Sequence, residues 1–529
     1  MTRTTKRIQI FDSTLRDGAQ GEGISYSVTD KLNIVRALDD FKVDYIEAGN
    51  PASNPKDMAF FEKVTKEKLH HARLCAFGAT HRKGLTADKD AGLKSLLDAG
   101  TPCVSIFGKT WDLHVEKILR ATLEENLGLI YRTVKFMKDN GKEVIFDAEH
   151  FFDGFIRNEE YALRTLEAAL SAGADLLCLC DTNGGTLPGQ IKDIVEKATV
   201  RFPGAAIGIH CHNDTGCAVA SSIAAVEAGA VQVQGTFVGT GERCGNADLS
   251  VIIPNLRFKM GYSCVGDDLT GLARTVRHIC DISNMRVYNS KPYVGDSAFA
   301  HKGGMHIDGV NKVSASFEHI DPKEVGASRR FLMSEVSGRS TVMKKLETVA
   351  PDLSRDSPEV AKILETLKNM ENNGYQFEAA DASFELMALK TLGRFSPHFR
   401  PIIYRTSGEY PPPAGEFSAS AILSLEVDGK EETTAAMGNG PVHALDNALR
   451  KALRVFYPEL DVVRLSDYKV RVLSGAHATA AKVRVLIEST DGDIIWNTVG
   501  VGTDVVAASW EALCDSLEYI LHLRRGNRQ

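Results

Sequence analysis

Cysteine is sparse in this sequence, with 10 in 529 residues, and no two cysteines form a Cys-x-x-Cys pair. The scarcity argues against a disulfide framework, and the missing pair argues against a structural zinc cluster. The sequence also lacks any apolar run of about 18 residues, so we expect no transmembrane helix. Basic runs are absent and the net charge is −7, so we expect neither a nucleic acid nor a membrane surface as a partner.

The composition is otherwise that of a globular protein with several domains. Hydrophobic residues make up 43% of the chain and charged residues 25%, which are ordinary proportions for a soluble protein. The first residues lead directly into an apolar strand pattern and lack the apolar core of a secretory signal, so we expect a cytoplasmic protein. The length predicts roughly two to four domains, and the patterning divides the chain into residues 1–265, 266–395 and 396–529.

The first region, residues 1–265, alternates short apolar runs with amphipathic stretches of helix length. Eight such strand-then-helix units match the number and size expected of an α/β (β/α)8 TIM barrel. The predicted strands are residues 8–11, 45–48, 74–78, 104–107, 144–147, 176–180, 207–210 and 231–237. A doubly wound open sheet is the alternative, but it needs fewer strands, and no phosphate-binding glycine-rich turn follows the first strand.

The other two regions do not show this alternation of strands and helices. Residues 266–395 contain helical stretches around a polar segment and predict helical connector subdomains, and the Pro-Pro-Pro-Ala-Gly run at 411–415 indicates a turn or linker. Residues 396–529 contain a duplicated β-β-α unit, in which an Asp-Gly hairpin turn precedes a Gly-x-Gly and a helix. The duplication predicts a C-terminal α+β regulatory domain that binds a ligand or mediates dimerisation, with a purely structural dimerisation cap as the alternative.

Two histidines one residue apart, His210 and His212, are the most informative feature of the chain. Apolar residues surround them, which predicts a buried strand. Alternate side chains of a strand share one face, so both imidazoles project the same way, with Cα atoms roughly 6.5 to 7 Å apart. The pair is suited to bind one divalent ion, and two hydrogen-bonded core histidines are the alternative.

Closure of the barrel places strand one beside strand eight, and barrel active sites lie at the C-terminal rim. Asp17 follows strand one and Asn246 follows strand eight, so both are expected beside the histidine pair. One carboxylate, two imidazoles and an amide oxygen form a mixed ligand set for zinc, manganese or magnesium. Arg16, next to Asp17, is suited to stabilise negative charge on a carbonyl oxygen, with a rim salt bridge as the alternative.

Four further residues are candidates by position. Glu149 and Thr182 follow strands five and six on the same rim, although either could be an ordinary loop residue. His301 and His306 lie in a polar segment of the connector that has no apolar pattern. This segment therefore predicts a role at a site, which in a dimer would be that of the partner subunit.

Taken together, these motifs resemble the 2-isopropylmalate synthase, homocitrate synthase and citramalate synthase family. The resemblance covers nearly the whole chain, including the duplicated C-terminal module. It rests on F-D-S-T-L-R-D-G at 11–18, H-C-H-N-D at 210–214, G-E-R-C-G-N at 241–246 and H-I-D-G at 306–309. The runs G-A-Q-G-E-G at 18–23, F-D-A-E-H-F-F-D-G-F at 146–155 and S-E-V-S-G-R-S at 334–340 are most similar to the long citramalate synthase branch.

The resemblance implies a metal-dependent condensation of acetyl-CoA with pyruvate, followed by hydrolysis of the thioester. Gln20 and Thr182 would then contact the substrate, and Arg16 would stabilise the alkoxide. Glu149 and His306 would be the acid–base candidates, His306 coming from the other subunit of a homodimer; which of them is the base stays open. A branched-chain amino acid, isoleucine or leucine, would bind the C-terminal domain as an effector.

The chain departs from the family pattern at two positions. Ala19 stands where related synthases often have Glu, and Arg329 stands where isopropylmalate synthases carry a helper Tyr. The resemblance therefore implies the metal site more strongly than it implies any role for the connector residues. The close alternative is a 2-isopropylmalate synthase acting on 2-oxoisovalerate, and the alternative of a different class is an amino-acid-sensing protein without turnover.

Overall fold

The computed structural model describes residues 6–53, 55–332, 339–346, 349–354, 356–409, 418–473 and 481–526. The linker expected at 411–415 and residues 334–338 of the 334–340 motif lie outside these ranges. The chain divides into two units, one formed by Met1–Phe299 with His319–Arg329 and the other by Ala300–Glu318 with Arg330–Gln529. Within the described ranges, no helix is both long and apolar enough to cross a lipid bilayer.

The first unit contains a closed barrel of eight parallel strands in the order of the sequence. The strands are β1 Gln9–Asp12, β2 Tyr45–Glu47, β3 Arg73–Ala79, β4 Cys103–Lys109, β5 Glu143–Glu149, β6 Leu176–Asp181, β7 Ile207–Cys211 and β8 Gln232–Gly235. The barrel closes where β1 pairs with β8 and Ile10 lies opposite Val233. The TIM-barrel prediction is therefore confirmed, and the open sheet is excluded.

Helices surround this barrel. They are α1 Val28–Asp40, α2 Pro55–Val64, α3 Ala91–Asp98, α4 Asp112–His114, α5 Leu123–Asp139, α6 Phe151–Arg157, α7 Glu159–Ser171, α8 Pro188–Arg201, α9 Ala218–Glu227, α10 Leu249–Pro254 and α11 Leu272–Ile282. Ser27 and Thr122 begin α1 and α5 with reciprocal capping boxes, which satisfy amide groups that the first helical turn leaves free. Apolar residues from the strands and helices of this unit form one large buried cluster.

The second unit begins with connector elements and ends with two similar sheets. The connector contains β9 Ala300–His301, α12 Gly304–Lys312, β10 Arg330–Phe331, α13 Arg339–Leu346, α14 Pro358–Asn372 and α15 Asp381–Leu392. The sheets and their helices are β11 Arg400–Gly408, β12 Ala419–Val427, β13 Lys430–Gly438, α16 Pro441–Arg454, β14 Arg464–Val472, β15 Val483–Thr490, β16 Ile495–Gly502 and α17 Val505–Gly526.

The duplication is present, but each copy has one strand more than the sequence predicts. Strands β11 and β14 each form an edge of an antiparallel three-stranded sheet. Their side chains are exposed or half-buried. In β11 the apolar Ile402, Ile403 and Tyr404 are adjacent, so no alternation marks the strand. In β14 the residues 468–472 do alternate apolar and polar, a signal that sequence reasoning missed. The repeated unit is therefore β-β-β-α.

Candidate active site

The turn after β1 is fixed against the last strand of the barrel. The amide of Ser13 donates to the carbonyl of Gly235, N to O 2.8 Å, and the amide of Gly18 donates back to the carbonyl of Ser13 at 3.0 Å. The amide of Asp17 also donates to the Ser13 hydroxyl at 3.3 Å. The side chains of Arg16 and Asp17 are therefore held at the C-terminal rim.

The two histidines of β7 meet Asp17 at this rim. His210 Nε2 lies 3.5 Å from Asp17 Oδ2, and His212 Nε2 lies 3.7 Å from the same oxygen. All three residues are at most 6% exposed. The convergence of Asp17, His210 and His212 that the sequence predicts is present.

Asn246 completes the group from the segment after β8. Its Nδ2 donates to Asp17 Oδ1 and to the carbonyl of Thr240, both at 3.0 Å, and its backbone forms a bridge with that of His212. Its Oδ1 is buried and accepts no hydrogen bond from any residue that the structure describes. Asn246 thus lies beside the Asp17 carboxylate and carries a buried acceptor atom without a partner among the described residues.

These residues fit a divalent metal ion. Asp17, His210 and His212 each offer one ligand atom, and the three atoms lie within 4.8 Å of one another. Burial and the neighbouring His210 lower the pKa of His212 to about 4, so that its imidazole is neutral, as a ligand must be. Burial alone would raise the pKa of Asp17, but Arg16 and the two histidines outweigh it and hold that pKa well below its usual range.

Arg16 is fixed by two carboxylates and an aromatic ring. Its Nη1 donates to Asp17 Oδ2 at 2.9 Å and its Nε donates to Glu47 Oε2 at 2.7 Å, while the guanidinium carbon lies 4.0 Å from the centre of the Phe77 ring. Glu47 is fully buried at the end of β2 and also accepts from the Ser13 hydroxyl at 2.5 Å. Sequence reasoning missed Glu47; the available signal was an acidic residue closing an apolar strand.

A cavity of about 210 Å³ opens above this group. It is lined by Arg16, Asp17, Gln20, Phe77, Phe107, Asp147, Glu149, Cys180, Thr182, His210, His212 and Glu242. The predicted site residues Arg16, Asp17, Gln20, Glu149, Thr182, His210 and His212 are thus brought together. Phe77, Phe107, Asp147, Cys180 and Glu242 were not singled out, although Asp147 and Glu242 lie within motifs at 146–155 and 241–246. A second cavity of about 310 Å³ shares Arg16, Gln20 and Phe77 with the first.

Glu149 and Thr182 lie on the cavity wall with defined partners. Lys109 forms an ion pair with Glu149. The Thr182 hydroxyl accepts a hydrogen bond from the amide of His150, N to O 2.9 Å. Because a hydroxyl that accepts one bond can still donate its own proton, Thr182 remains a donor toward the cavity.

A chain of buried hydrogen bonds lies behind the histidines. Gln234 Oε1 lies 3.2 Å from His210 Nδ1, and Gln234 Nε2 donates to Asp147 Oδ1 at 3.2 Å. Asp147 also accepts from the Ser105 hydroxyl. Gln234 Oε1 can accept a hydrogen bond from a protonated His210 Nδ1, the arrangement that leaves Nε2 for a metal ion. Burial lowers the pKa of His210, but the Asp17 carboxylate outweighs it and raises that pKa, so a bound ion would compete with a proton at Nε2.

The two connector histidines belong to the second unit of the chain. The ring of His306 on α12 stacks on Phe317 with centroids 4.2 Å apart. His301 is buried, and its Nε2 lies 3.0 Å from Glu318 Oε1. The lining of the barrel cavity comes from the first unit, so His306 is not among the residues that this cavity brings together.

Family models match three successive parts of the chain. Residues 7–281 match the HMGL-like family, residues 293–375 the homocitrate synthase post-HMGL domain-like family, and residues 378–521 the LeuA allosteric (dimerisation) domain. The first match covers the barrel that carries the cavity, and the third covers the two similar sheets.

Relatives match this chain over nearly its whole length. An (R)-citramalate synthase of Aquifex aeolicus is 49% identical, with 98% of each chain covered, and one of Geobacter sulfurreducens is 49% identical, with 97% of this chain and 98% of the relative covered. A probable 2-isopropylmalate synthase of Methanopyrus kandleri is 32% identical, with 98% and 99% covered. The chain therefore belongs to the (R)-citramalate synthase family and is an acyltransferase.

Proposed function

We propose that this enzyme condenses acetyl-CoA with pyruvate and hydrolyses the thioester to give (R)-citramalate and CoA. The observation that carries this proposal is the match to (R)-citramalate synthases over nearly the whole chain. The reaction would be the first step of a threonine-independent route to isoleucine, and the sparse cysteines of the sequence suit a reducing cytoplasm.

In this proposal, Asp17, His210, His212 and Asn246 hold zinc, manganese or magnesium. When bound, such an ion would supply Lewis-acid polarisation of the keto group of the 2-oxo acid. The partnerless Asn246 Oδ1 and the neutral His212 support this assignment.

The remaining cavity residues would position and stabilise the reactants. Arg16 uses its Nε–H for Glu47 and one N–H of Nη1 for Asp17. The other N–H of Nη1 and both of Nη2 are left as donors for the oxygen that becomes an alkoxide. Thr182 would donate its hydroxyl proton to the substrate carboxylate. Gln20, which both cavities share, would contact substrate where the acetyl thioester enters.

The proton steps require one base and one acid. A base removes a proton from the acetyl methyl group, the methyl carbon forms a bond to the keto carbon, and the resulting alkoxide takes up a proton. Water then cleaves the thioester and CoA leaves as the thiol. Glu149 on the cavity wall is one candidate for these transfers, and His306 supplied by a second copy of the chain is the other.

Two aromatic rings on the cavity wall support pyruvate as the acceptor in this proposal. Phe77 and Phe107 stack with centroids 5.1 Å apart and both line the cavity, which favours a methyl over an isopropyl substituent. Apolar pockets separate such substrates by about 10- to 200-fold. Measuring thiol release with pyruvate and with 2-oxoisovalerate, in the presence of each metal, tests this. We expect pyruvate to be preferred. A strong preference for the branched acid would establish the 2-isopropylmalate reaction instead.

For the C-terminal domain we propose binding of a branched-chain amino acid and formation of a homodimer. The support is the match of residues 378–521 to the LeuA allosteric (dimerisation) domain. Adding each branched-chain amino acid to the thiol-release assay tests the effector, and sedimentation tests the dimer. Calorimetric binding of an amino acid with no turnover under any metal would favour a sensing protein.

A further inference from the structure

A second group of ligand-type side chains lies inside the barrel. Asp147, Cys178 and Cys180 each offer one ligand atom, and the three atoms lie within 4.8 Å of one another. Asp147 on β5 lies opposite Cys178 on β6 in the strand register, and Cys180, two residues further along, shares the face of Cys178. All three are at most 7% exposed.

The negative charge of Asp147 is only partly compensated. Ser105 and Gln234 donate hydrogen bonds to it, and the more distant charges of His210 and Arg16 also favour its charged form. Burial outweighs these contributions and raises the pKa of Asp147. Because a buried charge is costly, a cation bound directly to the carboxylate would stabilise it.

The group is also accessible. Asp147 and Cys180 line the cavity of about 210 Å³, so an ion can reach them by the route that a substrate would take. Its remaining coordination position would face the cavity, where water or a small anion completes the shell.

The ligand atoms set the kind of ion. A tetrahedral zinc ion with Zn–S of about 2.3 Å and Zn–O of about 2.0–2.2 Å places ligand atoms roughly 3.5–3.8 Å apart. The ligand atoms of Asp147, Cys178 and Cys180 now lie within 4.8 Å of one another. Side-chain movements of roughly 1 Å would bring them to the distances that zinc requires. Two sulfur ligands favour thiophilic ions, whereas magnesium and manganese prefer oxygen.

We propose that Asp147, Cys178 and Cys180 form a second metal site, selective for thiophilic divalent ions such as zinc and cadmium. An ion there would share the cavity with the 2-oxo acid and would inhibit turnover. The site is separate from the Asp17–His210–His212 group, although Gln234 contacts both His210 and Asp147.

Titration of the metal-free full-length protein with cadmium tests this inference. We expect two bound equivalents, one of which produces the near-ultraviolet charge-transfer band of a cadmium–thiolate bond, and a large excess of magnesium should leave the band unchanged. The variants Cys178→Ser and Cys180→Ser should lose the band and keep one equivalent. His212→Ala should do the reverse, losing one equivalent and keeping the band.

Cys103→Ser is the matched control, because Cys103 is another buried thiol of the barrel interior and should keep the band. Asp147→Asn leaves both thiols in place and should weaken cadmium binding about 10-fold or more, which keeps the test decisive if a serine variant fails to fold. A wild-type protein without the band, or a band that survives both serine substitutions, would overturn the inference. No step uses turnover, so the outcome does not depend on the proposed reaction.

Discussion

Asn246 Nδ2 donates to Asp17 Oδ1 at 3.0 Å, while the Oδ1 of the same amide is buried and accepts no hydrogen bond from the described residues. The amide is thus fixed by its donor side, and its acceptor side has no hydrogen bond from the described residues. A buried acceptor without a partner costs about 1–3 kcal/mol. This arrangement is expected of a site built to take a cation.

Replacing Asn246 should therefore weaken metal binding. Asn246→Ala removes the free oxygen and the hydrogen bond that orients Asp17, and we expect metal affinity to fall about 10- to 100-fold. Calorimetric titration with zinc or manganese measures this. Asn183→Ala is a suitable control, because Asn183 is exposed and donates to Asp153 instead; equal losses in both variants would remove Asn246 from the ligand set.

Two glutamines of β8 form a matched pair for testing the support of His210. Gln234 contacts His210 Nδ1. Gln232, two residues earlier and equally buried, contacts Gln9 and accepts a hydrogen bond from Gln234 Nε2 at 3.4 Å, but does not contact His210. Gln234→Ala should reduce metal affinity about 10- to 100-fold, and Gln232→Ala, which keeps the His210 contact, should reduce it by less. The same titration decides: identical affinities for the two variants would mean that Gln234 does not orient the ligand.

Glu149 and Glu143 lie at opposite ends of β5. If Glu149 transfers a proton, Glu149→Gln should lower kcat about 100- to 10,000-fold without changing metal affinity. Glu143 pairs with Tyr45 and Arg73, so Glu143→Gln should leave kcat unchanged. Thiol-release kinetics on both variants measure the difference, and an unchanged kcat for Glu149→Gln would leave His306 as the acid–base candidate.

Asp39 gives a pH-dependent test of stability. Burial alone would raise its pKa, but the backbone amides of residues 70–72 donate to its carboxylate at 2.7–2.8 Å and lower the pKa below 3.8. A lowered folded-state pKa stabilises the protein above the unfolded pKa of about 3.9, and this stabilisation is lost as pH falls through the folded value.

Asp39→Asn should therefore lower the unfolding temperature at pH 7, by an amount corresponding to about 1–3 kcal/mol, and by progressively less as the pH falls below the unfolded pKa of about 3.9. Thermal unfolding followed by circular dichroism at several pH values checks this. Asp40→Asn, one residue further at an exposed position, should have little effect at either pH. A difference between Asp39→Asn and wild type that stays constant with pH would contradict the charge-based explanation.

The strands and helix starts of the barrel were predictable because neighbouring residues in the sequence determine them. Each strand is a short apolar run, and helix caps such as Ser27 and Thr122 lie beside the helices that they begin. Asp17, His210 and His212 were predictable because closure of a barrel follows from the number of its strands. Their approach to within 3.5–3.7 Å then needed no further assumption.

The missed features depend on contacts distant in sequence. Glu47, Asp147 and Gln234 are polar residues within largely buried strands, and only the barrel register shows which side chains face them. The edge strand β11 was missed because its apolar residues are adjacent and do not alternate, whereas β14 does alternate at residues 468–472 and was overlooked. Their register is set by pairing with β12 and β15, which no local composition encodes.

The contact between Asp17 and Asn246 spans 229 residues of sequence, and it bridges the seam where the first and last strands of the barrel meet. A growing or truncated chain that has not yet closed this seam cannot assemble the full set of ligands. Tight uptake of the proposed ion should therefore follow closure of the barrel, and its rate would report on that closure.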